Sequence, residues 1–458
     1  MRSDTDGGGG LRRALGPGLL TVLVVGDILG AGIYVLVGEV ATDLGGYLWV
    51  PFATAFVLAA LTASSYVELA SAHPHAAGSS RYVQVAFDRP ALTFVTGFVV
   101  AASAMTTAAA VSRAVGGQYL TTFVDWPSAP VALGTILALS LVVWVGIAES
   151  ARANAVMTLV EVSGLLLVIA AGVGGLFDGQ VEPSRLLDGG AADPGAPAVL
   201  GATALAFFAY LGFEDAVHLA EEVKDPVRTF PRALFGGLVL VGLLYMGVVL
   251  SAGSLVDPDE LGRSDTPLLD ALGTGPVPVS DEAFALIAIV AVTNTALLAL
   301  TTASRQVYGL AEQGAAPAVL GRVGRRRTPT VAIVGVAVVV GALAVTGGVR
   351  ELADTTVALL LAVFAMVNAT VLLLRRRAAP GGDRGGGPGD GDGAGGTPPA
   401  PPGGRQPYRT PGWAAALGGL GSLGLLANTL ATGGIGLLVR LGALLGLALL
   451  VHVLTRRA

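Results

Sequence analysis

About a dozen stretches of this chain are each apolar for roughly the 20 residues that a helix needs to cross a bilayer. That repetition leaves little choice of architecture. Inside lipid there is no water to satisfy peptide N–H and C=O groups, so spanning segments of this length are read as helices. The expected spans are 17–42, 48–71, 90–121, 129–148, 154–177, 197–219, 232–254, 283–304, 328–347, 353–374, 413–432 and 435–455. Of 458 residues, 53% are hydrophobic and 13% charged, about half the charged share of an ordinary soluble domain. The predicted class is an all-α polytopic membrane protein.

The charges orient the bundle. With the N-terminus inside, inner segments hold Arg12, Arg13, Arg81, Arg89, Arg152, Lys224, Arg228, Arg232, Arg305, Arg322, Arg325 to Arg327, Arg375 to Arg377, Arg456 and Arg457. Outer loops hold Arg185, Arg263 and Arg350, and are otherwise acidic: Asp178, Glu182, Asp188, Asp193, Asp257, Asp259 and Glu260. Such a bias predicts a multi-pass protein of the cytoplasmic membrane with both termini cytoplasmic. Residues 1–16 read as a cytoplasmic tail without a cleavable signal. Residues 375–412, rich in Gly, Pro and Asp, read as a disordered cytoplasmic linker before a final helix pair at 413–458. A short surface helix is expected at Pro267–Leu272.

Two spans carry breaks where a helix should run on. Span one contains Gly30-Ala31-Gly32-Ile33, and span six contains Tyr210-Leu211-Gly212-Phe213. Glycine in a helix interior costs about 1 kcal/mol relative to alanine. Freed peptide groups in lipid then need protein, water or a ligand. Paired breaks in corresponding positions of two halves point to a transporter's central site. The halves are 17–177 and 197–374, each of five spans, so the second must insert upside down. The bland reading of the first break is close helix packing through small residues.

Other residues add chemistry. Charged side chains within spans are costly and default to function; Glu161, Asp27, Glu214 and Asp215 are the candidates for proton or ion coupling. For Glu161 the alternative is a neutral carboxylic acid bonded between helices. Asp27 and Glu68 are weighted towards interhelical pairing, and Arg113 towards snorkelling outward. Thr293, Asn294 and Thr295 could line an ion site or bond backbone. His218 and His452 read as residues near the cytoplasmic interface without a metal signal, His73 and His75, two apart in a loop, are a weak metal pair, and Trp49, Trp126, Trp144 and Trp413 fit interfacial belts. Without cysteine there is no disulfide, thiolate metal site or catalytic thiol. The absence of Walker, HExxH and GxSxG patterns argues against ATP as direct energy source and against an enzyme.

After Gly212-Phe213-Glu214 comes Ala220-Glu221-Glu222-Val223-Lys224-Asp225-Pro226-Val227-Arg228-Thr229-Phe230-Pro231-Arg232. Together with Gly30-Ala31-Gly32-Ile33, His75-Ala76-Ala77-Gly78-Ser79-Ser80-Arg81-Tyr82 and Gly309 to Pro317, it resembles the amino acid–polyamine–organocation (APC) superfamily over essentially the whole chain. The resemblance implies a fold of five plus five inverted helices with two C-terminal ones, alternating access, and an amino acid or related amine as substrate. On it, Gly30, Ala31, Gly32 and Ile33 contact the substrate carboxylate, while Phe208, Ala209, Tyr210 and Gly212 surround its amino group; Phe207 is counted with the substrate-binding residues, its alternative being lipid or core packing. Some proton-coupled relatives carry a lysine where Glu161 stands, so the charge sign departs from the pattern. The expectation is a secondary permease without cofactor or metal, whose partners are the small substrate, protons and membrane lipid, not nucleic acid. Exchange without proton coupling, and a transporter-like ligand sensor, are the alternatives.

Overall fold

A computed structural model describes residues 16–72, 78–117, 119–188, 195–217, 223–264, 266–326, 328–378 and 408–457. Expectations for His73, His75, His218, Glu221, Glu222, the N-terminal tail and the middle of the linker lie outside these residues. Among the described residues the regular structure is helical. In chain order the helices are α1 Pro17–Ile28, α2 Ala31–Leu44, α3 Trp49–Ala72, α4 Gly78–Phe87, α5 Pro90–Val115, α6 Ser128–Val145, α7 Ile147–Asp178 and α8 Ala196–Ala209. There follow α9 Pro226–Leu255, α10 Pro258–Arg263, α11 Pro267–Thr274, α12 Asp281–Glu312, α13 Thr330–Thr346, α14 Val349–Ala378, α15 Gly412–Thr432 and α16 Gly434–Arg457.

Local chemistry sets many of these limits. Pro17, Pro90, Pro226, Pro258 and Pro267 stand at helix starts, where the missing N–H costs nothing and φ is preset. Gly179 closes α7 in the left-handed conformation. Among the described residues nine helical runs are long and apolar enough to cross a membrane, Ala31–Ala72 counted as one. Three shorter apolar helices join them: Pro17–Ile28, Ala196–Ala209 and Thr330–Thr346. Two of those three are the pieces that stop at the anticipated breaks. The short helix expected at 267–272 is α11, and it is no loose surface element: Leu268 and Leu272 are buried.

Helix α5 is the axis of the bundle, packed along α12 and α14, while α1 lies on α9 and α2 on α8. Helix α16 sits at the rim and turns Ile435, Val439 and Leu449 outward, as a lipid-facing helix does. Charges gather at the helix ends. Arg350 at the start of α14 bridges Glu39 (3.1 Å) and Asp43 (2.6 Å) of α2. Arg440 of α16 reaches Glu351 at 2.9 Å. Glu68 is paired, as anticipated: Arg375 donates to it at 2.6 Å and the Thr410 N–H at 2.7 Å. The described ends of the expected linker are therefore built structure. Helix α14 runs to Ala378, and Tyr408 to Pro411 dock on α3, where the Thr410 hydroxyl donates to the Ser64 carbonyl at 2.7 Å.

Candidate functional site

Both anticipated breaks exist. Helix α1 ends at Ile28, and α2 starts at Ala31 after two residues outside the helix. Helix α8 ends at Ala209, and residues 210–214 turn away before a short 3-10 stretch at 215–217. The two breaks touch. A Cβ placed on Gly32 would lie 2.5 Å from the Cα of Ala209 and 2.7 Å from its Cβ. Gly212 has φ +120°, a region that side chains rarely enter, and a Cβ there would lie 2.5 Å from the Asp27 carbonyl oxygen. Glycine at these two positions is what lets the backbones meet.

The freed peptide groups are partly satisfied across the bundle. The Ala31 N–H donates to the Thr295 hydroxyl of α12 at 2.8 Å. The Tyr245 hydroxyl of α9 donates to the Ile28 carbonyl at 2.9 Å. The Gly212 N–H donates to the Glu214 carboxylate at 2.9 Å, so that side chain staples its own turn. The first turn of a helix always leaves N–H groups without intrahelical partners, and in α2 those of Gly32 and Ile33 belong to that turn.

Beside the breaks lies a cavity of about 80 Å³. Gly30, Ala31 and Gly32 line it from one side; Phe208, Ala209 and Gly212 face them from the other. Asp27, Glu214 and Asp215 also border it. Three predicted contacts are elsewhere. Ile33 is fully buried and is not part of the lining. Phe207 packs edge-on against Phe364, with ring centroids 5.8 Å apart. Tyr210 turns between Phe56 and Tyr245. Neighbouring residues on a helix point in different directions, so a run such as Phe207 to Tyr210 cannot all face one space.

Glu161 is also outside the lining. It is fully buried on α7, and neither carboxyl oxygen has a hydrogen-bond partner. The Tyr34 hydroxyl, at 2.7 Å, bonds the Glu161 backbone carbonyl instead. Asn294 of α12 is nearby; its amide nitrogen donates to Thr158 at 3.2 Å, and its oxygen is without a partner. Asn294 adjoins Thr295 in α12, and Thr295 lines the cavity. His452, read as an interfacial residue, stacks on Phe94 with ring centroids 5.0 Å apart.

Of the hydroxyl-bearing wall, sequence reasoning singled out Thr295, which lines the cavity, and missed the rest. Ser103 and Thr107 of α5 and Thr302 of α12 line the cavity. The available signal was spacing: Ser103 and Thr107 lie four apart, and Thr295, Leu298 and Thr302 recur three and four apart, each set on one helical face.

A bundle of apolar helices, two of them interrupted beside a shared small cavity, is the architecture of a multi-pass membrane protein. The chain belongs to the amino acid permease family, whose sequence model matches residues 16–430, within the APC superfamily that it resembles. This is a family of transporters, not enzymes. The chain is 31% identical over 343 residues to a chloroplastic cationic amino acid transporter of Arabidopsis thaliana, a match covering 69% of this chain but 58% of that relative's length. It is 27% identical over 394 residues to a branched-chain amino acid permease of Bacillus subtilis, covering 81% of this chain and 83% of the permease. It is 29% identical over 341 residues to a methylthioribose transporter of the same bacterium, covering 68% and 70%.

Proposed function

We propose that this protein is a secondary transporter that carries an amino acid or related small amine across the cytoplasmic membrane, with both termini inside, by alternating access coupled to protons. The observation that supports this most is the cavity between the two facing breaks. At one side stand the peptide N–H groups opening α2, at the positive end of its dipole, which suits a carboxylate. At the other stand the terminal carbonyls of α8, which suit an ammonium group. A zwitterion matches both ends. Gly30, Ala31 and Gly32 are assigned to the carboxylate; Phe208, Ala209 and Gly212 to the amino end. The five-plus-five arrangement of 17–177 and 197–374 accounts for the breaks facing one another, and the outer ion pairs of Arg350 join α2 to α14 where a rocking motion would part them.

Glu161 is assigned to the proton. A buried carboxyl without a hydrogen-bond partner is costly as an ion, and taking up a proton removes its charge. Asp27, on the cavity wall, is the second candidate. Glu214 is occupied by its own turn. The test begins with thermal-shift screening of the purified protein against amino acids and amines. Uptake of each hit into liposomes is then measured with and without a pH gradient, for wild type and Glu161→Gln. Wild-type uptake should follow the gradient, and the variant should lose that dependence. Full gradient dependence in the variant removes Glu161 from the coupling, and wild-type uptake that responds only to substrate inside the liposome marks an exchanger.

A further inference from the structure

A larger cavity lies away from the breaks. About 720 Å³ opens where the elbow between α4 and α5 meets the C-terminal ends of α12 and α16. None of its lining residues borders the cavity at the breaks, and the transport reading makes no use of it. It lies among the Arg-rich helix ends, next to Arg89 at the start of α5 and near the C-terminus of α16. On the charge bias this is the inner face.

Its walls have two characters. The rim is polar and carries a cation: Arg81 and Gln84 of α4, Gln313 after α12, and His452 and Thr455 of α16. Arg81 donates to the Gln84 side-chain oxygen at 2.9 Å, which leaves further guanidinium N–H groups at the rim. No Asp or Glu is among the described lining residues. The floor is apolar. Phe94 and Leu310 belong to a separate hydrophobic cluster that continues through Phe98 to Leu444 and Ala448 of α16. His452 stacks on Phe94, so the polar rim is tied to the apolar floor by a ring contact. On α16, Leu449, Leu450 and Val453, close in sequence to His452, are exposed.

A ligand that satisfies this site carries a negative, hydrogen-bond-accepting head and a hydrocarbon body. We propose that the cavity holds the phosphate headgroup of an anionic phospholipid of the inner leaflet, with the first acyl carbons along Phe94 and Leu310. The volume is in the range of small-molecule sites, and basic pockets between transmembrane helices on this side take such headgroups. The described lining sets the preference: it offers no carboxylate to a choline or ethanolamine ammonium, whereas a headgroup with a net negative charge is held by Arg81.

The experiment uses the full chain purified in detergent. Thermal unfolding is followed by tryptophan fluorescence during titration with phosphatidylglycerol, phosphatidylcholine or inorganic phosphate. Phosphatidylglycerol should raise the midpoint in a saturable way, and the other two should not. Arg81→Gln should weaken the phosphatidylglycerol response about tenfold, the loss of one charge-assisted contact, while substrate uptake persists. If Arg81→Gln does not elute as a monodisperse protein, Ala315→Leu, which narrows the cavity, serves instead, and its response should fall while its lipid-free midpoint stays. Equal shifts with both lipids overturn the proposal, as does a full phosphatidylglycerol response in the variant. An equal shift with inorganic phosphate overturns the lipid in favour of a soluble anion.

Discussion

The tightest point of the proposed site is Gly32 against Ala209, and Gly32→Ala tests it. The added Cβ would stand 2.5 Å from the Ala209 Cα, where ordinary contacts begin at 3.4 Å. The obstacle is backbone, so no side chain can rotate away. Helices α2 and α8 must separate by about 1 Å, and overpacking of this kind costs about 1–3 kcal/mol. The gain in helix propensity from removing a glycine offsets at most about 1 kcal/mol, so with the full offset a net loss of up to about 2 kcal/mol is left. The functional effect should be larger than the thermal one. A site that grips both ends of a small molecule loses both contacts when its walls part, and a loss of about 1.4 kcal/mol is a tenfold change in binding. Gly236→Ala is the matched control, since nothing lies within 4 Å of its added Cβ on the exposed face of α9. In liposomes, Gly32→Ala should raise the half-saturation concentration at least about tenfold and lower the unfolding midpoint by a few degrees. Gly236→Ala should do neither. Wild-type uptake and stability in Gly32→Ala would refute the claim that the two breaks close on each other at this point.

Further substitutions probe the cross-bundle bonds. Thr295→Val keeps the shape but removes the acceptor of the Ala31 N–H, and should cost about 1–2 kcal/mol of stability and weaken substrate binding, with Thr295→Ser restoring both. Tyr245→Phe leaves the Ile28 carbonyl without its donor and should lower the unfolding midpoint by an amount equivalent to about 1–3 kcal/mol, checked by differential scanning fluorimetry. Glu68→Gln weakens a half-buried pair with Arg375 and, through Thr410, the docking of Tyr408 to Pro411 on α3; it should speed limited proteolysis near Arg409 while leaving the substrate affinity unchanged.

Much of this architecture can be read along the chain because its causes are local. Apolar runs of membrane length, glycines inside two of them, and prolines at helix starts each act within a few residues, so the helices and both interruptions were legible at Gly30–Gly32 and Tyr210–Phe213. The partners were not. Thr295 caps an N–H that lies 264 residues away, and no local pattern marks that pairing. Phe207 and Tyr210 look equivalent to Phe208 in a string of letters, yet a helix turns about 100° per residue and sends them to different neighbours. Glu161 stood out as a charge in an apolar span, but its burial beside Tyr34 and Asn294 is a property of what α2 and α12 bring next to it. Composition and spacing thus determine which segments cross and where they come apart; packing across the bundle decides which atoms meet, because side-chain direction and close backbone approach are settled only when distant helices are in contact.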